Sequence, residues 1–251
     1  MEYGIDLYMK VNRKKWIESL RDGTVCFNPV ETFIKEAEKD RNNEQGDKYE
    51  GIFARIKAND AVLVKQRKRF GEDLEEIDEN GYVLLRRKSS RKVPIFCVYG
   101  IRRDELNIRE NSIYEENGEL TCTADYTFPD KIYNGFIDCS DVWGYYASPQ
   151  HFCQAIEKAL DEHLLLYKKT VIIYDIDLTK EFYFEPDNDY SELTHKRKDL
   201  LYQHEIRYRL LNFPRDEKYL MEYEPLSNHS CGIAPGALRL ELHCKCTPLE
   251  D

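Results

Sequence analysis

The chain has 251 residues, which is long enough to bury a substantial core in one large domain without requiring a second. Its 37 lysines and arginines against 47 aspartates and glutamates give a formal net charge of −10, so non-specific nucleic-acid binding is disfavoured. The first residues lack an apolar signal core, and no apolar run is long enough to span a bilayer. We therefore expect a soluble, cytoplasmic protein that does not associate with membranes.

The chain opens with a pattern typical of short alternating strands and helices. We expect a strand at residues 5–10 and then a helix at residues 14–21, with Asn12 as its N-cap and Gly23 just past its end. A second strand at residues 24–28 follows at once.

The next segment begins as a helix after residue 30 and gives way to a polar loop at Asn42 and Asn43. The loop ends in the sequence GDKYEG at residues 46–51, whose two glycines and two carboxylates favour a turn. The same carboxylates would be placed to orient a ligand, so the segment has both a structural and a functional interpretation.

Two basic clusters, at residues 62–70 and 84–92, bracket an acidic stretch at residues 71–81. Their apolar alternation and the Asn80-Gly81 pair predict strands in a charged hairpin that is inserted at about residues 60–93. Opposite charges lie close together in this segment, so a solvated hairpin is favoured over a surface that grips nucleic acid.

The second half of the chain predicts one long helix among several strands. Pro149 opens the helix in its first turn with Ser148 as the N-cap, and the helix runs through Leu165. Its core-facing stripe consists of Phe152, Ile156, Ala159 and Leu160. Strands are predicted at residues 95–101, 170–175, 205–211 and 237–244. The helix and the strand at residues 170–175 complete a β-α-β passage, whereas residues 102–134 carry no clear pattern.

These elements predict a single α+β domain over residues 1–251. We expect a central, mostly antiparallel sheet with a few flanking helices, and the charged hairpin as an insertion.

The eight cysteines are scattered, and without a secretion signal they are expected to be reduced thiols. Two sets of residues have side chains of the kinds that ligate metals.

The C-terminal set comprises His229, Cys231, His243, Cys244 and Cys246. Its Cys-x-Cys spacing is not that of a common zinc finger, so a closing strand is favoured over structural zinc. The other set comprises Asp47, Glu50 and Glu205. It would suit the hard cation of a nuclease but leaves the neighbouring arginines unexplained, so no metal is expected.

The order of several short motifs resembles a widespread group of uncharacterised bacterial and phage-associated proteins. The motifs are LYMK, GTVCFNPVETF, GDKYEG, PIFCVYGI, SPQHFCQAI, KTVIIYDID and a closing block LYQHEIRYR. The resemblance covers most of residues 5–213, and its motifs are specific as a set rather than one at a time. The group has no settled activity, so the chemistry has to be argued from the residues.

The layout is also similar to that of ADP-ribosyltransferases, because Gln203-His204-Glu205 has the Gln-x-Glu form at the start of a late strand. The resemblance implies that NAD is the substrate and that Glu205 is catalytic. Loss of nicotinamide leaves a ribosyl cation, which a positioned carboxylate stabilises while ADP-ribose passes to an acceptor. By the same resemblance, the residues that would contact the nucleotide are Tyr8, Lys10, Tyr145, Gln203 and Arg207. The acceptor is unknown, and phage–host conflict is the expected setting.

Other catalytic arrangements are less favoured. A nucleophile could be built from Cys97 or Cys153 with His151, but both cysteines lie in apolar runs that would bury them and raise their pKa. His204 would face the opposite side of a strand from Glu205, which argues against a His-Glu dyad.

Two further interpretations remain open. Glu205 could be a purely structural partner of a neighbouring arginine at a sheet edge. Alternatively, the protein is a non-catalytic, phage- or defence-related binding module that recognises a nucleotide or a protein partner. The 18 tyrosines would suit such a surface, because tyrosine is enriched at interfaces.

Overall fold

The computed structural model describes residues 5–39, 46–108, 113–116, 119–127, 141–227, 231–235 and 239–246. The helices in these ranges are α1 (Lys14–Arg21), α2 (Val30–Lys39), α3 (Ala61–Phe70) and α4 (Pro149–Glu162). The strands of the first half are β1 (Ile5–Arg13), β2 (Thr24–Pro29), β3 (Ile52–Ile56), β4 (Leu74–Glu79), β5 (Tyr82–Arg87), β6 (Pro94–Arg102), β7 (Asn107–Ile108), β8 (Tyr114–Glu116) and β9 (Glu119–Thr127). Those of the second half are β10 (Val142–Ala147), β11 (Tyr167–Val171), β12 (Ile173–Ile176), β13 (Phe182–Tyr183), β14 (His195–Arg197), β15 (Glu205–Leu210), β16 (Tyr219–Glu222), β17 (Cys231–Pro235) and β18 (Arg239–Cys246).

The largest sheet has the strand order β11-β15-β6-β1-β10-β17, and every neighbouring pair is antiparallel. Four antiparallel steps separate β10 from β11, so these two strands run in the same direction. Helix α4 connects them, which makes the predicted β-α-β passage a crossover over three intervening strands. With its few helices and large antiparallel sheet, the protein is an α+β domain, as the sequence predicted.

The main core lies between this sheet and α4. The four residues predicted to form the inner stripe of α4 are all buried. The ring of Phe152 lies at the centre, with its centroid 5.9 Å from that of Tyr8 and 6.2 Å from that of Tyr145. The alternation of β1 and β10 therefore directs these two tyrosines into the core beneath α4.

A smaller antiparallel sheet has the order β13-β3-β5-β4. The β4–β5 hairpin turns at Asn80 and Gly81, whose φ angles of 51° and 80° suit the predicted Asn-Gly turn. The hairpin pairs with β3, which in turn pairs with β13, so this sheet draws on distant parts of the chain.

The prediction of a strand at residues 62–70 is wrong, because this segment forms α3. Asp60 caps the helix, since its Oδ1 accepts a hydrogen bond of 2.8 Å from the backbone nitrogen of Val62. Leu63 and Phe70 pack against the core of the small sheet, whereas the basic residues between them face solvent. The β-branched Val62 and Val64 favour a strand, but Leu63, Gln66 and Phe70, which face the protein, recur at the three- to four-residue spacing of a helix.

Several predicted boundaries shift. Arg13 rather than Asn12 occupies the N-cap of α1. Helix α4 ends at Glu162 instead of Leu165. The chain leaves the helical conformation at Leu164, which has a φ of 54°. The strand predicted at residues 170–175 is divided at Ile172, because β12 leaves the large sheet to pair with β14.

The final predicted strand is confirmed as β18, which pairs with β9 in a further antiparallel sheet. The polar loop predicted at Asn42 and Asn43 lies outside the described residues, as do residues 109–112, 117–118 and 128–140. Within the described part of the chain, no helix is both long enough and apolar enough to cross a bilayer.

Replacement of Ile156 by alanine should lower the free energy of unfolding by about 2–5 kcal/mol, because the substitution leaves a cavity between α4 and the sheet. Ile156 is 0% exposed, whereas Ile173 in β12 is 50% exposed. The matched Ile173→Ala variant should change stability by less than about 0.5 kcal/mol. Chemical denaturation measures both, and equal losses would contradict the position of the core.

Candidate functional site

A cavity of about 540 Å³ opens where the large sheet divides. Strand β1 pairs with β6 only from Tyr99 onward, and β2 pairs with β6 only at Pro94 and Ile95. Residues 96–98 of β6 thus have no strand beside them on this edge within the described chain. The space between β1 and β2 is walled by α1, α2, the turn at residues 46–51 and the start of β15.

Four of the six predicted site residues line this cavity, namely Lys10, Gln203, Glu205 and Arg207. Tyr8 and Tyr145 do not line it, because they lie in the core beneath α4 and are 3% and 1% exposed. The resemblance grouped Tyr8 and Tyr145 with Lys10, Gln203 and Arg207 as nucleotide contacts, but the structure does not place these two tyrosines at the cavity.

Glu205 and Arg207 lie two residues apart on β15, so their side chains project from the same face of the sheet. In β6 they are opposite Tyr99 and Cys97. Both charged side chains are buried, with Arg207 only 1% exposed. The sequence places them here because residues 205–210 alternate between this face and the apolar core beneath α4.

The carboxylate of Glu205 is held by two cations. Its Oε1 accepts a hydrogen bond of 2.7 Å from Nε of Arg207, and its Oε2 accepts one of 2.5 Å from Nζ of Lys196. The backbone nitrogen of Glu205 donates to the hydroxyl of Tyr174 at 2.9 Å. The side chain is therefore fixed in position on both oxygens.

Glu50 completes a buried cluster of two carboxylates and two cations. Its Oε1 lies 2.6 Å from Nη1 of Arg207, and its Oε2 lies 3.7 Å from Nζ of Lys196. Glu50 is 2% exposed. Two negative charges thus face two positive charges, which offsets the cost of removing all four from water.

The cluster also fixes the charge state of Glu205. Burial alone would raise the pKa of this carboxyl group, but the adjacent charges of Arg207 and Lys196 outweigh it and lower the pKa well below its ordinary range. In the same way, burial would lower the pKa of Lys196, but Glu205 and Glu50 raise it. Glu205 is consequently an anion at every physiological pH and does not exchange protons.

The predicted turn at residues 46–51 is confirmed and directs its acids inward. Oδ1 of Asp47 accepts a hydrogen bond of 2.9 Å from the backbone nitrogen of Tyr49 and also lies 3.2 Å from Nε of Arg197. Gly51 closes the turn with a φ of 74°, where a Cβ atom would lie 3.1 Å from the side chain of Leu193. Burial, followed by the charge of Glu50, raises the pKa of Asp47.

Lys10 and Gln203 are held at the cavity wall by single polar contacts. Nζ of Lys10 donates to the carbonyl oxygen of Cys97 at 2.7 Å, in the part of β6 that lacks a neighbouring strand. Oε1 of Gln203 accepts from Nζ of Lys196 at 3.0 Å. Among the described residues Lys10 makes no ion pair, so its charge remains available to a ligand.

The cysteine and histidine arrangements are not supported by the geometry. Burial, with a contribution from the charge of Glu205, raises the pKa of Cys97 to about 12, which leaves the thiol protonated. His204 has a φ of 37°, and its Nδ1 lies 3.1 Å from Oε1 of Glu105. No His204–Glu205 ion pair occurs in the described structure.

Metal binding by the acidic set is also disfavoured, because each of its three carboxylates is already paired with a cation. Among the described residues, no three histidine, cysteine, aspartate or glutamate side chains are arranged so that they could hold a metal ion together. His229 and the side chains of His243, Cys244 and Cys246 lie outside that part of the protein.

Sequence reasoning missed three residues of the cavity region. Lys196, which neutralises Glu205, belongs to a basic run at residues 196–198 that gave no sign of burial. Trp16 and Glu36 also line the cavity, from α1 and α2 respectively. For Trp16 and Glu36, the only signal in the sequence was a position outside the buried stripe of an amphipathic helix. Most surface residues of helices have such a position.

Replacement of Glu205 by glutamine should destabilise the protein by about 3 kcal/mol, because two buried cations lose a partner. The difference from wild type should be full above pH 4.5, the ordinary pKa of this carboxyl group, and should shrink as the pH falls further. The reason is that acid protonates Glu205 first in the unfolded chain, whereas the folded protein holds the anion. Denaturant titrations between pH 3 and pH 7 measure this.

The double variant Glu205→Gln/Lys196→Met is the matched control, since it removes one charge of each sign. We expect it to be more stable than Glu205→Gln alone. If the double variant were the less stable of the two, charge balance would not be what holds the cluster together.

Comparison of the chain with known protein families, with curated proteins and with solved structures finds no match.

Proposed function

We propose that the protein is an ADP-ribosyltransferase-like enzyme that binds NAD in the cavity, cleaves its glycosidic bond and transfers ADP-ribose to an acceptor. The observation that carries the proposal is the permanently ionised carboxylate of Glu205 at the cavity wall, beside Gln203. Departure of nicotinamide makes the ribose C1′ cationic, and a fixed anion stabilises that charge without having to reorganise.

The anionic part of NAD also has candidate partners. Lys10, Arg13 and Lys218 line the cavity, and none of them forms an ion pair with a described residue. Trp16 lies on the same wall, where Nζ of Lys218 is 4.7 Å from the centroid of its ring. An aromatic ring with cations beside it suits a nucleotide, because the base stacks while the phosphates are neutralised.

A second candidate function is non-catalytic binding, as expected of a phage- or defence-related module. It is favoured by one observation: both oxygens of Glu205 are already engaged by Arg207 and Lys196. Such pairing reduces the negative charge that a ribosyl cation would experience. In this case the cavity would hold a nucleotide, or accept part of a protein partner, without turnover.

The discriminating experiment measures release of nicotinamide from NAD, with and without cell lysate as the source of acceptor. We expect Glu205→Gln to lower the rate by at least about 100-fold, since it removes the charge that stabilises the transition state. The variant is also destabilised, so its folded fraction has to be measured under the assay conditions.

Glu192→Gln is the control for that loss of stability. Glu192 is 1% exposed and pairs with Arg87 at 2.7 Å, but it does not line the cavity. We expect this variant to keep its activity while it is folded. If wild type released no nicotinamide while folded, the catalytic proposal would fail.

Binding is measured separately through Trp16. The chain has two tryptophans, so Trp143→Phe leaves Trp16 as the sole indole. We expect addition of ADP-ribose to quench its fluorescence to saturation, because a base stacked on the ring quenches the excited indole. Saturable quenching without release of nicotinamide would support the binding module, and no quenching would remove the cavity as the nucleotide site.

A further inference from the structure

Glu36 differs from the other carboxylates of the cavity. Asp47, Glu50 and Glu205 each have a cation partner within 3.2 Å. Glu36 also lines the cavity, yet it makes no hydrogen bond or ion pair with any described residue. It is the one cavity carboxylate in the described chain whose oxygens are both free for a ligand.

The position of Glu36 follows from the amphipathic character of α2. Val30, Ile34 and Ala37 are buried on the inner side of the helix. Phe33 and Glu36, which are three residues apart, line the cavity on the adjoining side. A rigid helix thus presents the carboxylate to the same space that Glu205 reaches from β15.

The environment of Glu36 keeps it able to exchange protons. Glu36 lies exposed at the mouth of the cavity, but the protein around its carboxyl group removes part of its hydration and raises its pKa, and the charges of Lys39 and Lys10 only partly oppose this. The acids of the facing turn, Asp47 and Glu50, are neutralised by their own partners. Two carboxylates of one cavity therefore have pKa values moved in opposite directions, an arrangement that separates a proton carrier from a fixed anion.

We propose that Glu36 is the catalytic base that activates the acceptor, and that the acceptor is water or a hydroxyl group. This inference rests on the function proposed above. The C1′–N bond of NAD breaks and its electron pair leaves with neutral nicotinamide. A lone pair of the acceptor oxygen then forms the new bond to C1′, and the proton of that oxygen passes to Glu36, which returns it to solvent. Glu205 remains ionised throughout.

The test compares nicotinamide release by wild type, Glu36→Gln, Glu36→Ala and Glu38→Gln. Glu38 is an exposed acid of the same helix that does not line the cavity, so it matches the change in charge. We expect both Glu36 variants to lower kcat by about 100- to 10,000-fold, with the KM for NAD changed by less than about threefold. Glu38→Gln should match wild type.

Rescue of turnover by sodium azide distinguishes a catalytic base from a residue that only supports the structure. Azide is an anion that attacks without losing a proton, so it should restore turnover to Glu36→Ala, where the shortened side chain leaves room for it. It should not restore turnover to Glu205→Gln, which lacks the stabilising charge. The rise of wild-type kcat with pH, through ionisation of Glu36, should also be absent from Glu36→Gln.

The outcomes separate the two proposals. Normal kcat in Glu36→Gln, or no effect of azide on Glu36→Ala, would overturn the role of Glu36 while wild-type turnover still upheld the enzyme. No release of nicotinamide by folded wild type would overturn both. Glu36 is exposed, so both of its variants are expected to fold, which thermal unfolding checks.

Discussion

The need to keep buried charges balanced is the constraint on which the rest of the structure depends. Glu50, Lys196, Glu205 and Arg207 come from a turn, a short parallel strand and a strand of the large sheet. None of the four would be tolerated alone, because an isolated buried charge costs several kcal/mol. Their mutual attraction therefore fixes how the three segments meet, and so also the wall of the cavity.

The same cluster decides what chemistry the cavity can perform. A carboxylate between two cations keeps its charge but cannot act as an acid or a base. In the proposed reaction, proton transfer would have to come from a group outside the cluster, and Glu36 is such a group. The division of labour arises from location alone: one glutamate lies on a buried strand among cations, and the other lies on a helix that borders the open space.

Much of the fold was predictable because hydrophobic periodicity and turn residues report local structure directly. The helix at Lys14–Arg21, the helix beginning at Pro149 and the Asn80-Gly81 hairpin are examples. Residues 62–70 were assigned to a strand because their β-branched valines favour strands and the nearby Asn80-Gly81 pair indicated a hairpin. The division of the sheet beside β6 had no local signal, since it depends on which distant strands pair.

The site was predictable only in part for the same reason. Glu205 and Arg207 were found because both lie in the short block whose Gln-x-Glu form resembles that of ADP-ribosyltransferases. Their partner Glu50 is 157 residues from Arg207 in the sequence, and no spacing rule connects them. Tyr8 and Tyr145 illustrate the converse, because aromatic residues near a site in the sequence were drawn into the core by strand alternation.

The pairing of β6 with β15 has a consequence for how the protein is made. These neighbours are joined through residues such as Tyr99 and Glu205, so the central strand of the sheet has one open edge until the last fifth of the chain has been synthesised. Sheets that depend on such distant pairings fold slowly, because closing the long loop between the strands costs conformational entropy before any stabilising contact forms. A growing chain therefore carries Glu50 and Cys97 without their final surroundings. The cavity is therefore completed late, because a nascent fragment that ends before β15 lacks both Glu205 and Arg207.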